Sequence, residues 1–262
     1  MTIIHECEQG TEEWKRARCG VITASMFSTI RAKVGMPNEQ QQIYINCLLA
    51  GQTEKAAMEK AGYKSAPKAD CIKKAVAGEK VGEWSDAAKN YAFRLACERI
   101  AGEPLDGDQF ETFAMRRGRA LEEQCRLRHE AEIKTIVDLA GFVTTEDNKF
   151  GCSADSLIGE HGGAEYKAFY APEKVRPVLA EDDWGDILDQ VQGCMWITGR
   201  KWWEMCLYFP ALASVGKDFT RKRILRDDNY IESLEADLME FETLVSEWQE
   251  LLMQKPQQQA AA

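Results

Sequence analysis

Two carboxylates and a lysine occur in the middle of the sequence at a spacing that could bring them together. Asp155 is followed by a glycine-containing turn and then by the run Glu165-Tyr166-Lys167. The residues on either side of the turn have the composition of two strands, which predicts a hairpin. Because side chains alternate along a strand, Glu165 and Lys167 should share one face, about 6.6 Å apart. The hairpin should bring Asp155 beside Glu165.

This set of groups predicts the hydrolysis of a phosphodiester. Carboxylate oxygens suit Mg²⁺, which binds one or two carboxylates and completes its shell with water and substrate phosphate. A lysine beside the metal can orient or deprotonate the attacking water. The pattern alone leaves open a simpler interpretation, in which the hairpin lies at the surface and its charges form salt bridges.

Three further segments accompany this pattern. They read QGTEEW-x-RARCGVITAS over residues 9–25, GRALEEQCR over residues 118–126 and DQVQGCMWIT over residues 189–198. Taken in order with the hairpin, they resemble the phage lambda exonuclease family, also called YqaJ-like viral recombinases, within the restriction-endonuclease-like PD-(D/E)xK nucleases. The resemblance extends from about Glu8 to about Pro210.

The sequence departs from the family pattern at two places. Ser153-Ala154-Asp155-Ser156 stands where the family usually has Ser-Pro-Asp-Gly, and Ala168 follows the lysine where the family often has Cys-Pro. Neither change removes a metal ligand, so the departures concern the local geometry of the turn.

The resemblance implies a set of active-site residues. It assigns catalysis to Glu122, Asp155, Glu165 and Lys167, with metal binding by the three carboxylates and by the carbonyl of Tyr166. Two Mg²⁺ ions, for which Mn²⁺ could substitute, would lie about 3.5–4 Å apart and stabilise the attacking and leaving oxygens. Lys167 would position the water.

Two of these assignments have a close neighbour as an alternative. Glu123 competes with Glu122 for the helix carboxylate, but the two side chains point about 100° apart on a helix. Gln192 is assigned as the glutamine of the site, and Gln190 competes with it.

The resemblance also implies a pocket for the 5′-phosphate of a DNA end, formed by Arg18 and Ser25 and extended by Arg31. A guanidinium can bind phosphate through two hydrogen bonds, and the start of a helix offers free N–H groups. Ser25 could instead only cap a helix.

Composition limits the classes of protein that this chain can represent. It has 262 residues, 45% of them hydrophobic, and no long uncharged apolar run. We therefore expect neither secretion nor a membrane anchor. The family resemblance implies a cytoplasmic location in a bacterial host and a phage or prophage origin. Nine cysteines without a Cys-x-x-Cys pair indicate reduced thiols, not zinc or iron–sulfur ligands. The three histidines lack partners at ligand spacing and are treated as structural.

The net charge of −10 is unusual for a protein that binds DNA. The segment from Asp227 onwards contains nine acidic residues and one lysine, which accounts for most of this charge. The remaining body is nearly neutral and can carry a basic channel.

The elements predict an α/β fold with a restriction-endonuclease-like core, in which helices flank a mixed central sheet and the N-terminal region is helical. Residues 1–226 should form one nuclease domain, with a family-variable insertion at 48–86. Residues 227–255 should form an acidic amphipathic helix, and residues 256–262 a disordered tail. The predicted helices cover 87–100, 121–132 and 187–198, and the predicted strands cover 140–144, 149–153, 163–169, 203–209 and 219–225.

The C-terminal helix has an apolar seam spaced alternately by three and four residues. We expect this seam to pack on the body of the same chain, with the acidic face outward and suited to a basic partner. The seam residues are Ile231, Leu234, Leu238, Phe241, Val245, Trp248 and Leu252, and the residues of the acidic face are Glu232, Glu235, Asp237, Glu240, Glu242, Glu247 and Glu250.

The resemblance implies a Mg²⁺-dependent 5′→3′ exonuclease that acts on the ends of double-stranded DNA and leaves 3′ single strands for recombination. Members of the family form ring-shaped homotrimers and act with a single-strand annealing protein. Two alternatives stay open from the sequence, a structure-selective endonuclease with the same core and a DNA-end-binding module without activity.

Overall fold

Two mixed sheets carry the central part of the chain. The computed structural model describes residues 2–105, 113–169 and 171–254, and within them eight strands form two four-stranded sheets. The first sheet has the order β1-β3-β4-β2, with a parallel β2–β4 pair and antiparallel neighbours elsewhere. Its strands are β1 (Thr2–His5), β2 (Ile22–Thr23), β3 (Phe142–Thr145) and β4 (Phe150–Cys152).

The second sheet has the order β5-β6-β7-β8, with a parallel β6–β7 pair between two antiparallel pairs. Gly162 and Gly163 begin β6, and a Cβ at either position would collide with the indole ring of Trp202 or Trp203 on β7. These glycines therefore let the two strands approach. The strands of this sheet are β5 (Ser156–Ile158), β6 (Gly162–Ala168), β7 (Trp202–Tyr208) and β8 (Phe219–Leu225).

Ten α-helices accompany the sheets in the described part of the chain. They are α1 (Glu12–Arg18), α2 (Phe27–Arg31), α3 (Glu39–Leu49), α4 (Glu54–Ala61), α5 (Asp70–Val76), α6 (Asp86–Ala101), α7 (Phe113–Ile133), α8 (Pro172–Glu181), α9 (Gly185–Thr198) and α10 (Asp228–Met253). Because parallel strands need a crossover connection, α8 and α9 span the distance from the end of β6 to the start of β7. None of the described helices is long and apolar enough to cross a membrane.

Contacts divide the chain into two compact units. One comprises the described residues of Met1–Arg31 and Asn90–Ala262, and the other is Ala32–Lys89. The smaller unit has its own core, to which α3, α4 and α5 contribute; its buried residues are Tyr44, Ile45, Cys47, Ala57, Ala61 and Ile72. This unit extends beyond both ends of the predicted insertion at 48–86, whose variability within the family stays a prediction.

The predicted α/β class, with mixed strands flanked by helices, is confirmed, with two differences. The strands divide between two sheets, and the N-terminal region contributes β1 and β2 as well as helices. These strands are only four and two residues long, so helices dominate the pattern of the N-terminal sequence. All nine cysteines lie in the described part of the chain as free thiols. The tail predicted to be disordered, residues 256–262, lies outside the described residues.

Helix α10 packs its apolar seam against the body of the chain, next to α2 and α9. Five of the seven seam residues are buried, and Leu252 near the helix end is 42% exposed. The acidic face is not uniformly outward, because Glu242 is buried and Asp237 binds Arg31. The spacing of residues along the helix could not predict this, because the arginines that bind Glu242 and Asp237 lie on other elements.

Glu242 forms the most buried ion pair of α10. Its two carboxylate oxygens accept hydrogen bonds from both terminal nitrogens of Arg99, at 2.9 and 2.8 Å. Only 6% of the Glu242 side chain and 17% of the Arg99 side chain are exposed. The Nε of Arg99 also donates to the carbonyl of Gly20 at 2.8 Å, so the pair links α10 and α6 to the turn after α1.

Glu242→Ala should lower the free energy of unfolding by about 3 kcal/mol, because it leaves the Arg99 guanidinium without its main partner in a mostly buried position. Glu250→Ala, at an exposed position of the same helix, should change it by less than about 0.5 kcal/mol. Urea denaturation of both variants measures the difference, and equal values would contradict the role given to Glu242.

Candidate active site

The hairpin of β5 and β6 brings the predicted groups together. Asp155 lies immediately before β5, and its Oδ2 accepts a hydrogen bond from the backbone N–H of Tyr166 on β6 at 2.7 Å. The Lys167 ammonium donates to Oε1 of Glu165 at 2.6 Å. Strand alternation therefore places Glu165 and Lys167 together, as predicted, and the turn returns Asp155 to their side.

Glu165 is buried, and its two oxygens have different surroundings. Oε1 accepts hydrogen bonds from Lys167 and also from Nε2 of Gln190 on α9, at 2.7 Å. Oε2 is buried and has no hydrogen-bond partner within the described residues. A buried carboxylate oxygen without a partner is costly, which makes Oε2 a candidate ligand atom for a cation.

Glu122 approaches the same group of charges from α7. Burial raises the pKa of its carboxyl above the ordinary value; Lys167 opposes this shift, and the charge of Glu165 adds to it. Glu123 is exposed and lies within 4.0 Å of Arg126. The electrostatic coupling to Lys167 and Glu165 thus supports Glu122 as the carboxylate of this helix.

Three carboxylates surround one ammonium in this cluster. Burial, followed by the charge of Glu165, raises the pKa of Asp155 well above its ordinary range, although Lys167 and the Tyr166 N–H act in the opposite direction. Burial alone would lower the pKa of Lys167, but the negative charges of Glu165, Asp155 and Glu122 outweigh it and raise that pKa. Within the cluster, three carboxylates therefore face one ammonium.

The donor set fits Mg²⁺, because it consists of oxygen atoms, carries excess negative charge and includes the orphaned Oε2 of Glu165. Glu122, Asp155 and Glu165 could hold the ion. The Tyr166 carbonyl could join them, because the N–H of the same residue already points to Asp155 and the N–H and C=O of one strand residue face the same edge.

A second group of possible metal ligands is less suitable. Among the described residues, His129, Glu204 and Cys206 have ligand atoms within 4.8 Å of one another. Both oxygens of Glu204 already accept hydrogen bonds from Arg221, and Arg223 donates to Oε1. These guanidinium groups neutralise the carboxylate and would repel a cation.

A cavity of about 170 Å³ connects the carboxylate cluster with the predicted phosphate pocket. It contains the two predicted phosphate ligands, Arg18 and Ser25, together with Asp155 and Gln190 from the cluster. The complete lining is Gln9, Trp14, Arg18, Thr23, Ala24, Ser25, Ser153, Asp155 and Gln190. The predicted pocket and the predicted active site are therefore parts of one cavity.

Arg18 is held in this cavity by an aromatic ring and a hydroxyl. Its guanidinium carbon lies 4.2 Å from the centroid of the Trp14 ring, and its Nη1 lies 3.4 Å from Oγ of Ser153. The Trp14 indole donates to the same hydroxyl at 2.8 Å. The sequence analysis did not identify Ser153 as a residue of this cavity. A signal was present, because Ser153 aligns with the serine of the family's Ser-Pro-Asp-Gly pattern, two residues before Asp155.

The family follows from the sequence match. Residues 13–201 match the model of the YqaJ-like viral recombinase domain. The chain belongs to this family. The match confirms the resemblance read from the motifs, and no curated protein matches the chain.

Solved structures share the fold of this YqaJ-like chain. LHK-Exo, an alkaline exonuclease from Laribacter hongkongensis solved in complex with dAMP, has a TM-score of 0.66 and 23% identity, with 92% of this chain and 96% of that chain covered. A phage related exonuclease from Haemophilus somnus 129PT has a TM-score of 0.52 and 14% identity, with 89% and 95% covered. At these sequence identities the likeness shows only a shared fold. That fold agrees with the predicted restriction-endonuclease-like core.

The assignment of Gln192 to the site of this YqaJ-like protein is corrected. Its Nε2 donates to the carbonyl of Leu225 at 3.0 Å, and its Oε1 accepts from the N–H of Asp227 at 3.1 Å. Gln192 thus holds the connection from β8 to α10, and Gln190 occupies the place beside Glu165. The two side chains lie on opposite sides of α9, because two residues correspond to about 200° on a helix.

Arg31 also lies outside the phosphate pocket. Its guanidinium binds Asp189 at 2.6 Å and Asp237 at 2.9 Å, and Asp189 also accepts from the Tyr230 hydroxyl at 2.6 Å. The two aspartates neutralise the arginine and hold it at α9 and α10. Because Asp189 precedes Gln190, Arg31 helps to fix the turn of α9 that contacts Glu165.

Ser25 lies in the cavity but does not cap a helix. It is the middle residue of a 3₁₀ turn, Ala24–Met26, whose N-cap is Thr23. Its hydroxyl lies 3.3 Å from that of Thr23, and the side chain is exposed. Ser25 can therefore offer its hydroxyl to a ligand. The helix start that the sequence predicted here is a 3₁₀ turn followed by the five-residue α2.

Asp155→Asn should stabilise the metal-free protein. Because the folded pKa of Asp155 lies above the ordinary value of 3.8, the native state binds more protons and loses stability as pH rises from 3.8 through the folded pKa. With EDTA at pH 7, we expect the variant to be about 1–2 kcal/mol more stable than wild type, and the difference to shrink towards pH 4. Denaturant unfolding at several pH values measures this, with the exposed Glu160→Gln as control. A less stable Asp155→Asn at pH 7 would contradict it.

Proposed function

We propose that this protein is a Mg²⁺-dependent deoxyribonuclease that degrades one strand of linear double-stranded DNA in the 5′→3′ direction. The product would carry 3′ single-stranded overhangs for phage-type recombination by annealing. The observation that carries the proposal is the single cavity shared by Arg18, Ser25, Asp155 and Gln190. In this cavity the Arg18 guanidinium, which would bind phosphate, lies near the carboxylate cluster that would carry out hydrolysis. Membership of the YqaJ-like family and a fold shared with an alkaline exonuclease support it.

Each residue of the cluster has a role in this proposal. Glu122, Asp155, Glu165 and the Tyr166 carbonyl would hold two Mg²⁺ ions, for which Mn²⁺ could substitute. When bound, such ions supply positive charge to the attacking and leaving oxygens of the phosphodiester. Lys167 would orient the attacking water through its ammonium.

Two further residues would keep the cluster in place and set the direction of digestion. Gln190 fixes Oε1 of Glu165 and leaves Oε2 open. Arg18 would bind the terminal 5′-phosphate through charge-assisted hydrogen bonds, with Ser25 and Ser153 as hydroxyl partners. A strand end bound there would be cut from its 5′ side.

Space for the rest of the DNA adjoins the carboxylates. A larger cavity of about 590 Å³ has Glu122, Asp155 and Tyr166 in its lining, together with other acids such as Glu8 and aliphatic residues such as Leu139. The cluster therefore lines both the small pocket and a wider groove. This arrangement favours a DNA end with a strand continuing beyond the cut.

The assembly and the partner are part of the same proposal. We expect a ring-shaped homotrimer around DNA, acting with a single-strand annealing protein in the cytoplasm of a bacterial host. The exposed acids of α10, which include Glu232, Glu247 and Glu250, would repel DNA and suit a basic surface of the partner.

The function can be tested with 5′-labelled linear duplex and closed circular duplex in Mg²⁺. Wild type should digest only the linear DNA, whereas a structure-selective endonuclease would also cut circles that contain a flap or junction. Glu165→Gln and Lys167→Ala should each lower the rate by at least about 10³-fold, since they remove a ligand and the group that orients water.

Both variants should still bind DNA ends, and Glu160→Gln in the exposed hairpin turn should digest at the wild-type rate. Calcium should support binding without rapid cutting, because its larger and looser shell suits a two-ion site poorly. End binding without any digestion by the wild type would favour a binding module over a nuclease.

Arg18→Ala should slow the digestion of 5′-phosphorylated ends by about 10–100-fold, the range expected for hydrogen bonds to a charged group. Digestion of 5′-hydroxyl ends should change little, because the proposed partner is the terminal phosphate. Arg16→Ala, at an exposed position of the same helix, is the matched control. Initial rates on the two substrates decide the matter, and an equal loss on both would assign Arg18 another role.

A further inference from the structure

Four buried polar side chains form a continuous chain of hydrogen bonds behind the catalytic strand. The Tyr166 hydroxyl lies 2.8 Å from Oγ of Ser156 and 3.0 Å from Nδ1 of His129. Nε2 of His129 lies 2.7 Å from Oε2 of Glu204. Ser156, His129 and Glu204 are 0% exposed, and Tyr166 is 2% exposed.

This network has a strong anchor at Glu204. Burial alone would raise the pKa of Glu204, but hydrogen bonds from His129 and Arg223 and the charge of Arg221 lower it to about 2. Glu204 is therefore an acceptor only, and Nε2 of His129 must donate to it. Hydrogen bonds in such a chain polarise one another, which stiffens the whole group.

The network connects the elements that carry the proposed metal ligands. Tyr166 is on β6 between Glu165 and Lys167, and His129 is on α7, seven residues after Glu122. Seven residues are close to two helical turns, so Glu122 and His129 lie on one face of α7. The bond between His129 and Tyr166 therefore sets the position of the Glu122 helix relative to the strand of Glu165.

The opposite orientation of neighbouring residues on β6 makes this arrangement possible. Glu165 points towards Gln190 of α9, whereas Tyr166 points towards α7 and packs with Cys125 and Cys206. Deleting the Tyr166 hydroxyl would leave the face that carries Glu165 chemically unchanged. Any effect on the catalytic cluster would then arise from a shift of β6 or α7.

We propose that Ser156, Tyr166, His129 and Glu204 act as positioning residues that align Glu122 with Asp155 and Glu165 for metal binding. This inference rests on the proposed function, because it assigns the network to the same site. The network would contribute to catalysis by keeping the metal ligands in position, since displacements of about 1 Å can lower the rate by about 10²-fold.

The decisive variant is Tyr166→Phe, which removes one hydroxyl and keeps the ring. On 5′-phosphorylated duplex, kcat should fall about tenfold or more, the range seen when groups that orient metal ligands are removed, while KM should change less than about twofold. Tyr208→Phe is the matched control, because Tyr208 packs against the same core cluster outside the network; it should keep the wild-type kcat.

A conservative exchange at His129 separates positioning from folding. His129→Gln can still donate to Glu204 and accept from Tyr166, so it should retain kcat within about threefold, whereas Ser156→Ala and His129→Leu should each lose about tenfold. Thermal unfolding of every variant identifies those that only fail to fold. Equal kcat values for His129→Gln and His129→Leu, both folded, would overturn the proposal.

Mn²⁺ binding without DNA gives a readout that does not require nuclease activity. Isothermal titration should show about tenfold weaker Mn²⁺ binding to Tyr166→Phe than to wild type or Tyr208→Phe. Unchanged Mn²⁺ affinity together with unchanged kcat would overturn the positioning role. If wild type binds Mn²⁺ but digests no DNA, the proposed function fails, and the Mn²⁺ affinities of the variants still decide the positioning role.

Discussion

The dominant constraint in this structure is the proximity of three carboxylates to one ammonium. Glu122, Asp155 and Glu165 come from a helix, a turn and a strand, and the Lys167 ammonium lies among them and binds Glu165. The raised pKa of Asp155 and of Glu122 expresses the cost of this arrangement in the absence of cations. Such a cost is typical of functional sites, where binding a ligand relieves it.

The surrounding elements hold the cluster against this repulsion. On one face of β6, Gln190 binds Glu165, and the turn of α9 that carries Gln190 is fixed by the contact of Arg31 with Asp189. On the other face, the buried network from Tyr166 to Glu204 joins β6 to α7. Arg31, which the resemblance assigned to the phosphate pocket, therefore has a structural role, because Asp189 and Asp237 pair with it.

The proposed phosphate pocket depends on the same stretch of chain as the carboxylates. Ser153 bonds to Trp14 and lies beside Arg18, and two residues later Asp155 enters the cluster. Gln9 fixes this stretch by donating to the carbonyl of Ala154 at 3.2 Å. Under the proposed function, three consecutive residues, Ser153 to Asp155, would thus connect the phosphate pocket with the cutting site.

The sequence by itself determined the residues whose relation is local or carried by the family pattern. Strand alternation and one turn were enough to join Asp155, Glu165 and Lys167, and the spacing of apolar residues defined the buried face of α10. The tertiary structure alone decided which long-range partner each polar side chain meets. Gln190 and Gln192 differ only in which side of α9 they face, and periodicity does not tell which side meets β6. Arg31 pairs with Asp189 and Asp237, and Glu242 pairs with Arg99, each across separate elements, because a charge selects its partner by position in space.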